Sequence, residues 1–108
     1  MNYDFRIYDK STNISLLANR KGEVRMTAFD KYYFDITPDN VAYVVMKQPK
    51  LFKKGYIMFY DSDDDVAKVS TEDGGAFYLL LDVSRKYKDD FYLTYKVLKD
   101  HGFEIQVY

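Results

Sequence analysis

Four stretches in the first third of the chain predict β-strands, and three of them alternate apolar with polar side chains, which is the period of a strand with one buried face. In the third stretch, Val24, Met26 and Ala28 alternate with charged or hydroxyl-bearing residues. A turn is predicted just before it, because Gly22 can adopt a positive φ. The last two stretches are expected to form a hairpin. The four predicted strands are Asn2–Tyr8, Ile14–Ala18, Glu23–Phe29 and Tyr32–Ile36.

The middle of the chain predicts further strands separated by polar loops. Val41–Lys47 is rich in β-branched and aromatic residues, which favours a central strand. Ala76–Val83 is a nearly continuous apolar run between turn signals, and it predicts a strand in the core. Two shorter strands are predicted at Tyr56–Tyr60 and Val66–Ser70.

The pattern changes to a helical period after Val83. Phe91, Tyr95 and Leu98 are spaced as on one face of a helix, with Asp89 as the expected N-cap and Gly102 just beyond the end. The predicted helix extends from Asp89 to about Asp100, and an alternating strand, Phe103–Tyr108, follows it.

This order of elements predicts a single α+β domain over residues 1–108. We expect an antiparallel sheet, sandwich or partly closed barrel, with one C-terminal helix and a short final strand. A chain of 108 residues is the usual length of one domain.

Composition excludes several classes of protein. Hydrophobic residues make up 47% and aromatic residues 19%, which excludes a disordered chain. Sixteen basic and 17 acidic residues give a net charge of −1, which argues against a nucleic-acid partner held by bulk charge. Cysteine is absent, and no signal peptide or membrane span is recognisable, so we expect a small soluble cytoplasmic protein.

The stretch from Gly22 to about Gly102 resembles a bacterial pleckstrin-homology-like (PH-like) domain of the short, single-module type. The residues that carry the resemblance follow the order of the family pattern. They are Gly22 with Glu23–Met26, Phe34–Ile36, the turn Thr37–Val41, the Lys/Pro-containing loop Gln48–Lys54, the strand Gly55–Phe59 and the helix start Asp90–Phe91. The resemblance implies a partly closed antiparallel barrel with one C-terminal helix, in a fold that serves many functions.

Two segments lie outside this pattern: the 21 residues before Gly22 and the last strand, Phe103–Tyr108. They are expected to pair with each other or to add to the sheet of a second subunit. Together with the abundance of tyrosine, this indicates a homodimer.

An acidic cluster, Asp61, Asp63, Asp64 and Asp65, is the first candidate site. Asp61, Asp63 and Asp65 have the spacing of the first ligands of a calcium-binding EF-hand loop. However, Val66 replaces the glycine that such a loop requires, and the flanking segments predict strands rather than helices. We therefore interpret the cluster as a solvated hairpin tip and expect no metal and no cofactor.

His101 is the one candidate for a general base with a pKa near neutrality. It lies at the predicted end of the helix, where histidine commonly bonds the last carbonyl groups. No nucleophile elbow or phosphate-binding glycine loop is present. The sequence therefore predicts no enzymatic activity.

The densest basic group lies in the loop after Val41–Lys47. Lys47, Lys50, Lys53 and Lys54 surround Leu51 and Phe52. The lysines could hold phosphate or a lipid headgroup, and the two apolar residues could form an exposed contact patch. The alternatives are a solvated loop and apolar side chains that fold back onto the sheet.

Tyrosine occurs 12 times, more than a small core requires. Tyr33, Tyr87 and Tyr108 occupy polar positions of the pattern and are the best candidates for surface contacts, where tyrosine is enriched. Charge is also unevenly distributed along the chain: residues 1–60 hold ten basic and six acidic residues, and residues 61–108 hold six and 11.

These features favour a non-catalytic binding module that recognises a protein partner through Leu51, Phe52, the neighbouring lysines and the surface tyrosines. The alternative is an inhibitor, encoded by a phage or mobile element, that blocks a host defence system. In that case the acidic cluster would mimic a nucleic acid.

Overall fold

A computed structural model describes all 108 residues, and its first four strands form an antiparallel meander. Met26 lies opposite Leu16 on one side and Phe34 on the other, so apolar side chains of adjacent strands meet on one face. The alternation predicted here is confirmed. The strands are β1 (Phe5–Asp9), β2 (Ile14–Ala18), β3 (Val24–Ala28) and β4 (Tyr32–Ile36).

The second sheet has the order β10-β5-β6-β9, and β10 is parallel to β5 while the other pairs are antiparallel. Because β1 pairs with β2 and β10 pairs with β5, the expected pairing of the two terminal segments with each other is wrong. The strands are β5 (Tyr43–Lys47), β6 (Gly55–Tyr60), β9 (Leu80–Val83) and β10 (Ile105–Val107).

A separate hairpin consists of β7 (Lys68–Ser70) and β8 (Ala76–Tyr78). The predicted core strand Ala76–Val83 is therefore two strands with a break at Leu79. The carbonyl of Leu79 accepts a hydrogen bond from the Phe59 N–H, and its own N–H donates to Ala67, both at 2.9 Å. The apolar run therefore pairs with β7 before Leu79 and with β6 after it.

A 3₁₀ turn, Arg85–Tyr87, leads into helix α1 (Lys88–Asp100). The expectation that Asp89 caps this helix is wrong, because the 3₁₀ turn places Tyr87 at the N-cap and Asp89 within the first turn. Gly102 has a φ of +87° and ends the helix as predicted, and the Phe103 N–H returns to the Leu98 carbonyl at 3.1 Å. With 13 residues, α1 is too short and too polar to cross a membrane.

The core is one cluster of 23 buried apolar residues from both sheets, the hairpin and the helix. Its largest fully buried side chains include Phe59, Met26 and Leu98. The two sheets are linked by Asp9, whose Oδ2 accepts the backbone N–H of Asp82 at 2.9 Å. The chain is therefore an α+β domain of mostly antiparallel sheets with one C-terminal helix, and its sheets do not close into a barrel.

Candidate functional site: a basic tip and an acidic loop

The loop between β5 and β6 ends in an exposed turn, residues 50–54, which we call the basic tip. The N–H of Lys50 donates to Lys53 at 2.8 Å, and the N–H of Lys53 returns to Lys50 at 3.3 Å. Leu51 and Phe52 are at the apex, where they are 60% and 95% exposed. The alternative in which they fold back onto the sheet is wrong, because the short turn directs both away from it.

The base of the basic tip is closely packed. Pro49 is buried, and Gly55 begins β6 so near β5 that a Cβ atom would lie 2.0 Å from the Lys47 carbonyl oxygen. Only glycine fits at such a distance. The turn is therefore held in place on both sides, and its exposed side chains project from a fixed backbone.

Other cations converge on the same end of the molecule. Lys54 shares a small groove of ≈140 Å³ with Lys10 and Lys86. Arg85 and Lys88 border an adjacent groove with Lys86. The sheet brings these residues together because β1 and β9 both finish where β6 begins, so Lys10 follows the last residue of β1 and Arg85 follows β9. Lys50, Lys53 and Lys54 are all exposed.

Two aspartates, Asp9 and Asp82, line the groove at this basic end, and the Asp9 carboxylate is already engaged. Asp9 is 3% exposed and accepts hydrogen bonds from the Asp82 N–H and from both the N–H and the hydroxyl of Ser11. Burial alone would favour its neutral form, but these donors outweigh burial and hold the pKa of Asp9 below its ordinary value. Its negative charge therefore accepts hydrogen bonds from within the chain, and it lines the same groove as Lys10, Lys54 and Lys86, together with the exposed Asp82.

At the other end of β6, residues 61–65 form the acidic loop. The Asp61 carboxylate accepts the N–H groups of Asp63 and Asp65 at 2.8 and 3.1 Å, so it closes its own turn. Asp64 has a φ of +61° and accepts the Tyr43 hydroxyl at 2.9 Å. The carboxylates of Asp63 and Asp65 are exposed and make no hydrogen bond within the chain.

Tyr43 supports this loop from the second sheet. Its ring stacks on Tyr60 with centroids 4.9 Å apart. Desolvation of the hydroxyl, and then the neighbouring Asp64 carboxylate, raise the pKa of Tyr43 to about 12. No group of three or more acidic or histidine side chains is arranged to hold a metal ion. The loop is thus a turn fixed by its own aspartates.

The basic tip and the acidic loop lie at opposite ends of β6, although Asp82 and Asp89 line grooves at the basic end. β6 spans six residues, so the basic tip and the acidic loop lie about 20 Å apart. The division seen in the sequence, at residue 60, does not describe the surface: Lys86 belongs to the acidic half of the sequence but shares a groove with Lys54. The positions of the strand ends, rather than the position of a residue along the chain, decide which charged residues lie close together.

The three candidate tyrosines have different positions. Tyr108 is 69% exposed, and its N–H donates to the Met46 carbonyl at 2.9 Å, which places it beside Lys47 and the start of the tip loop. Tyr33 is 62% exposed on the outer face of the first sheet. Tyr87 is only partly exposed, because it packs in part against the core from the 3₁₀ turn, so it offers less surface than the other two.

Sequence reasoning missed other exposed aromatic residues. Tyr3, Phe29, Tyr78 and Tyr92 are each more than half exposed. The alternation predicted Phe29 as the end of a strand. Instead it lies in the turn between β3 and β4 with a φ of +58°, and its side chain faces solvent. Tyr92 lies outside the buried stripe of α1 and could have been identified from helical spacing.

His101 has the structural position that its place in the sequence predicts. Its Nδ1 lies 2.8 Å from the Val97 carbonyl oxygen in the last turn of α1.

Comparisons with models of protein families, with curated proteins and with solved structures find no match to this chain.

Proposed function

We propose that this protein is a non-catalytic binding module that recognises a protein partner through its basic tip. The observation that carries the proposal is the position of Phe52: it is 95% exposed at the apex of a hydrogen-bonded turn. An aromatic side chain in that position has no role in the core, whereas aromatic anchors dominate the binding energy of many protein interfaces.

The surroundings of Phe52 define the chemistry of the partner. Leu51 adds apolar area, while Lys50, Lys53 and Lys54 border it, with Lys10 and Lys86 behind. The complementary surface is an apolar pocket bordered by carboxylates. The fixed backbone of the tip supports tight binding, because little conformational freedom is lost when the partner closes over it.

The likeness to a PH-like domain belongs to this proposal. It is supported by the antiparallel sheets that precede a C-terminal helix, and it is weakened by the absence of a closed barrel. Homodimer formation also stays a prediction: β10 is an edge strand, and its last residue, Val107, is 55% exposed.

The test is affinity capture from bacterial lysate with three immobilised proteins: the parent chain, a Leu51→Ala/Phe52→Ala variant and a Tyr92→Ala variant. Tyr92 is 58% exposed on α1 and is a matched aromatic control. We expect a partner that is retained by the parent and by Tyr92→Ala but lost by the double variant. Purified partner should then bind Phe52→Ala about 30-fold more weakly than the parent.

Two results of this experiment would contradict the proposal. One is a partner that binds all three proteins equally, because its contact would lie away from the tip. The other is binding of anionic phospholipid vesicles by the parent but not by the Leu51→Ala/Phe52→Ala variant, with no protein retained, because the tip would then be a membrane contact.

A second candidate, inhibition of a host system through a nucleic-acid-like surface, is supported by the acidic loop. Asp63 and Asp65 display free carboxylates on a turn that Asp61 holds in shape. If this candidate is correct, Asp63→Asn/Asp65→Asn abolishes inhibition in an assay of host defence, while Leu51→Ala/Phe52→Ala leaves it intact.

A further inference from the structure

The outer face of the first sheet carries a trough that the proposed function does not use. Two cross-strand rows form it. Arg6, Leu17 and Arg25 lie side by side on β1, β2 and β3, and the neighbouring row contains Tyr8, Ser15, Thr27 and Tyr33. Leu17, Ser15 and Thr27 are shorter than the arginines and tyrosines around them, which leaves an open groove of ≈330 Å³ on this face.

Both arginines that line the trough are stacked on a tyrosine. The Arg6 guanidinium lies 5.0 Å from the centre of the Tyr8 ring, and the Arg25 guanidinium lies 4.1 Å from that of Tyr33. Tyr3 and Lys31 extend the lining at its rim.

The two arginines differ in their partners. Arg25 forms a two-point ion pair with Asp35 at 2.6 and 3.1 Å, which raises the pKa of Arg25 and lowers that of Asp35. Arg6 has no acidic partner and donates only to the Ser15 hydroxyl, at 3.3 Å. The three ion pairs of the chain are Arg20–Asp4, Arg25–Asp35 and Lys31–Asp73. Arg6 is therefore the cation in the trough that remains available to an external oxyanion.

The floor and rim suit a flat ring. Leu17 is half-buried between the two arginines, and Tyr3 and Tyr33 present phenol rings that are 51% and 62% exposed. An open antiparallel sheet face with exposed aromatic rings and arginine is the kind of surface on which nucleic-acid bases stack. A second groove continues past Lys31 and Tyr33 toward the β7–β8 hairpin, so the open surface extends beyond the space that one base would occupy.

We propose that this trough binds a nucleotide, free or within a single-stranded nucleic acid, with a phosphate on Arg6 and the base over Leu17 against Tyr33. The net charge of −1 argues against binding by bulk charge, but the trough relies on one local guanidinium and on stacking. Asp30 is the acidic residue of the lining that lacks an ion-pair partner, and it lies at the rim beside Lys31.

The test is calorimetric titration of the full chain with adenosine monophosphate, adenosine and inorganic phosphate, together with fluorescence anisotropy of a labelled deoxythymidine decamer. The variants are Arg6→Gln and Tyr33→Ala. Arg85→Gln removes an exposed arginine at the basic end and is the matched control. Adenosine and phosphate alone should bind far more weakly than a ligand that contains both.

We expect Arg6→Gln and Tyr33→Ala each to weaken binding about tenfold. For the decamer, Arg6→Gln should also reduce the slope of log affinity against log salt by about one. Binding of the decamer without binding of the mononucleotide identifies the single strand as the ligand, and the converse identifies the free nucleotide. The inference is overturned if neither ligand binds, or if Arg85→Gln weakens binding as much as Arg6→Gln.

Discussion

The imidazole ring of His101 lies directly against Gly22, where any side chain on residue 22 would have to be. A Cβ atom built on Gly22 would be 2.2 Å from Cδ2 of His101, and Gly22 itself has a φ of +91°. The contact joins the end of α1 to the turn between β2 and β3. The histidine therefore serves as a packing and capping residue, in agreement with its bond to the Val97 carbonyl.

Gly22→Ala should destabilise the fold by about 2 kcal/mol or more, because a left-handed backbone and an overlap with the His101 ring act together. Urea unfolding monitored by circular dichroism measures the loss. In a His101→Ala background, Gly22→Ala still strains the backbone but no longer overlaps with the ring. The stability lost on Gly22→Ala should therefore be smaller in that background than in the parent. An unchanged unfolding midpoint in Gly22→Ala would show that the turn does not press on the helix.

Asp9 should make stability depend on pH. Its pKa is lowered in the folded chain, so its contribution is complete above its ordinary value of 3.8 and is lost as pH falls through the folded value. We expect Asp9→Asn to cost about 1–3 kcal/mol at pH 7, since the amide leaves buried donors poorly satisfied. The difference between Asp9→Asn and the parent should shrink at pH 2. A difference that is equal at both pH values would contradict this assignment.

Phe52 and Phe59 are a matched pair for separating contact from stability. Phe52 is 95% exposed and Phe59 is fully buried. Phe52→Ala should therefore change the free energy of unfolding by less than about 0.5 kcal/mol, whereas Phe59→Ala should cost about 3–5 kcal/mol. Thermal unfolding of both variants measures this contrast. If Phe52→Ala were as destabilising as Phe59→Ala, the tip would be part of the core and any loss of binding would be uninformative.

Three aspartates of the acidic loop, Asp61, Asp63 and Asp65, should respond differently to substitution. Asp61→Ala removes the acceptor for two backbone N–H groups, so hydrogen exchange at Asp63 and Asp65 should accelerate. Asp63→Asn/Asp65→Asn should leave those exchange rates unchanged, because both carboxylates make no bond within the chain. Equal hydrogen-exchange rates in Asp61→Ala and the parent would contradict the assignment of Asp61 as the residue that holds the turn.

The sequence predicted those parts of the fold that depend on local period. β3 and β4 follow from alternation, and Gly102 ends the helix because a left-handed residue was needed there. The break at Leu79 depends on hydrogen bonds to Phe59 and Ala67, which no local pattern contains. The bond between Asp9 and Asp82 joins residues that are 73 positions apart, and for the same reason it was not foreseen.

The candidate site shows the same limit. A loop has no period, so the sequence could not decide whether Leu51 and Phe52 face solvent. Their exposure depends on the turn that the hydrogen bonds between Lys50 and Lys53 form. Tyr87 occupied a polar position of the pattern, but it lies in a 3₁₀ turn and packs in part against the core. The trough depends on the register of three strand pairs, and that register places Arg6 and Arg25 on either side of Leu17.

The most direct test of the proposed function is a Phe52→Trp variant, because the chain contains no other tryptophan. Its fluorescence should resemble that of an exposed indole in the free protein and should shift to the blue, with protection from iodide quenching, when purified partner is added. A Tyr92→Trp variant should show no change under the same titration. A partner that shifts Tyr92→Trp and leaves Phe52→Trp exposed would contradict recognition through the basic tip.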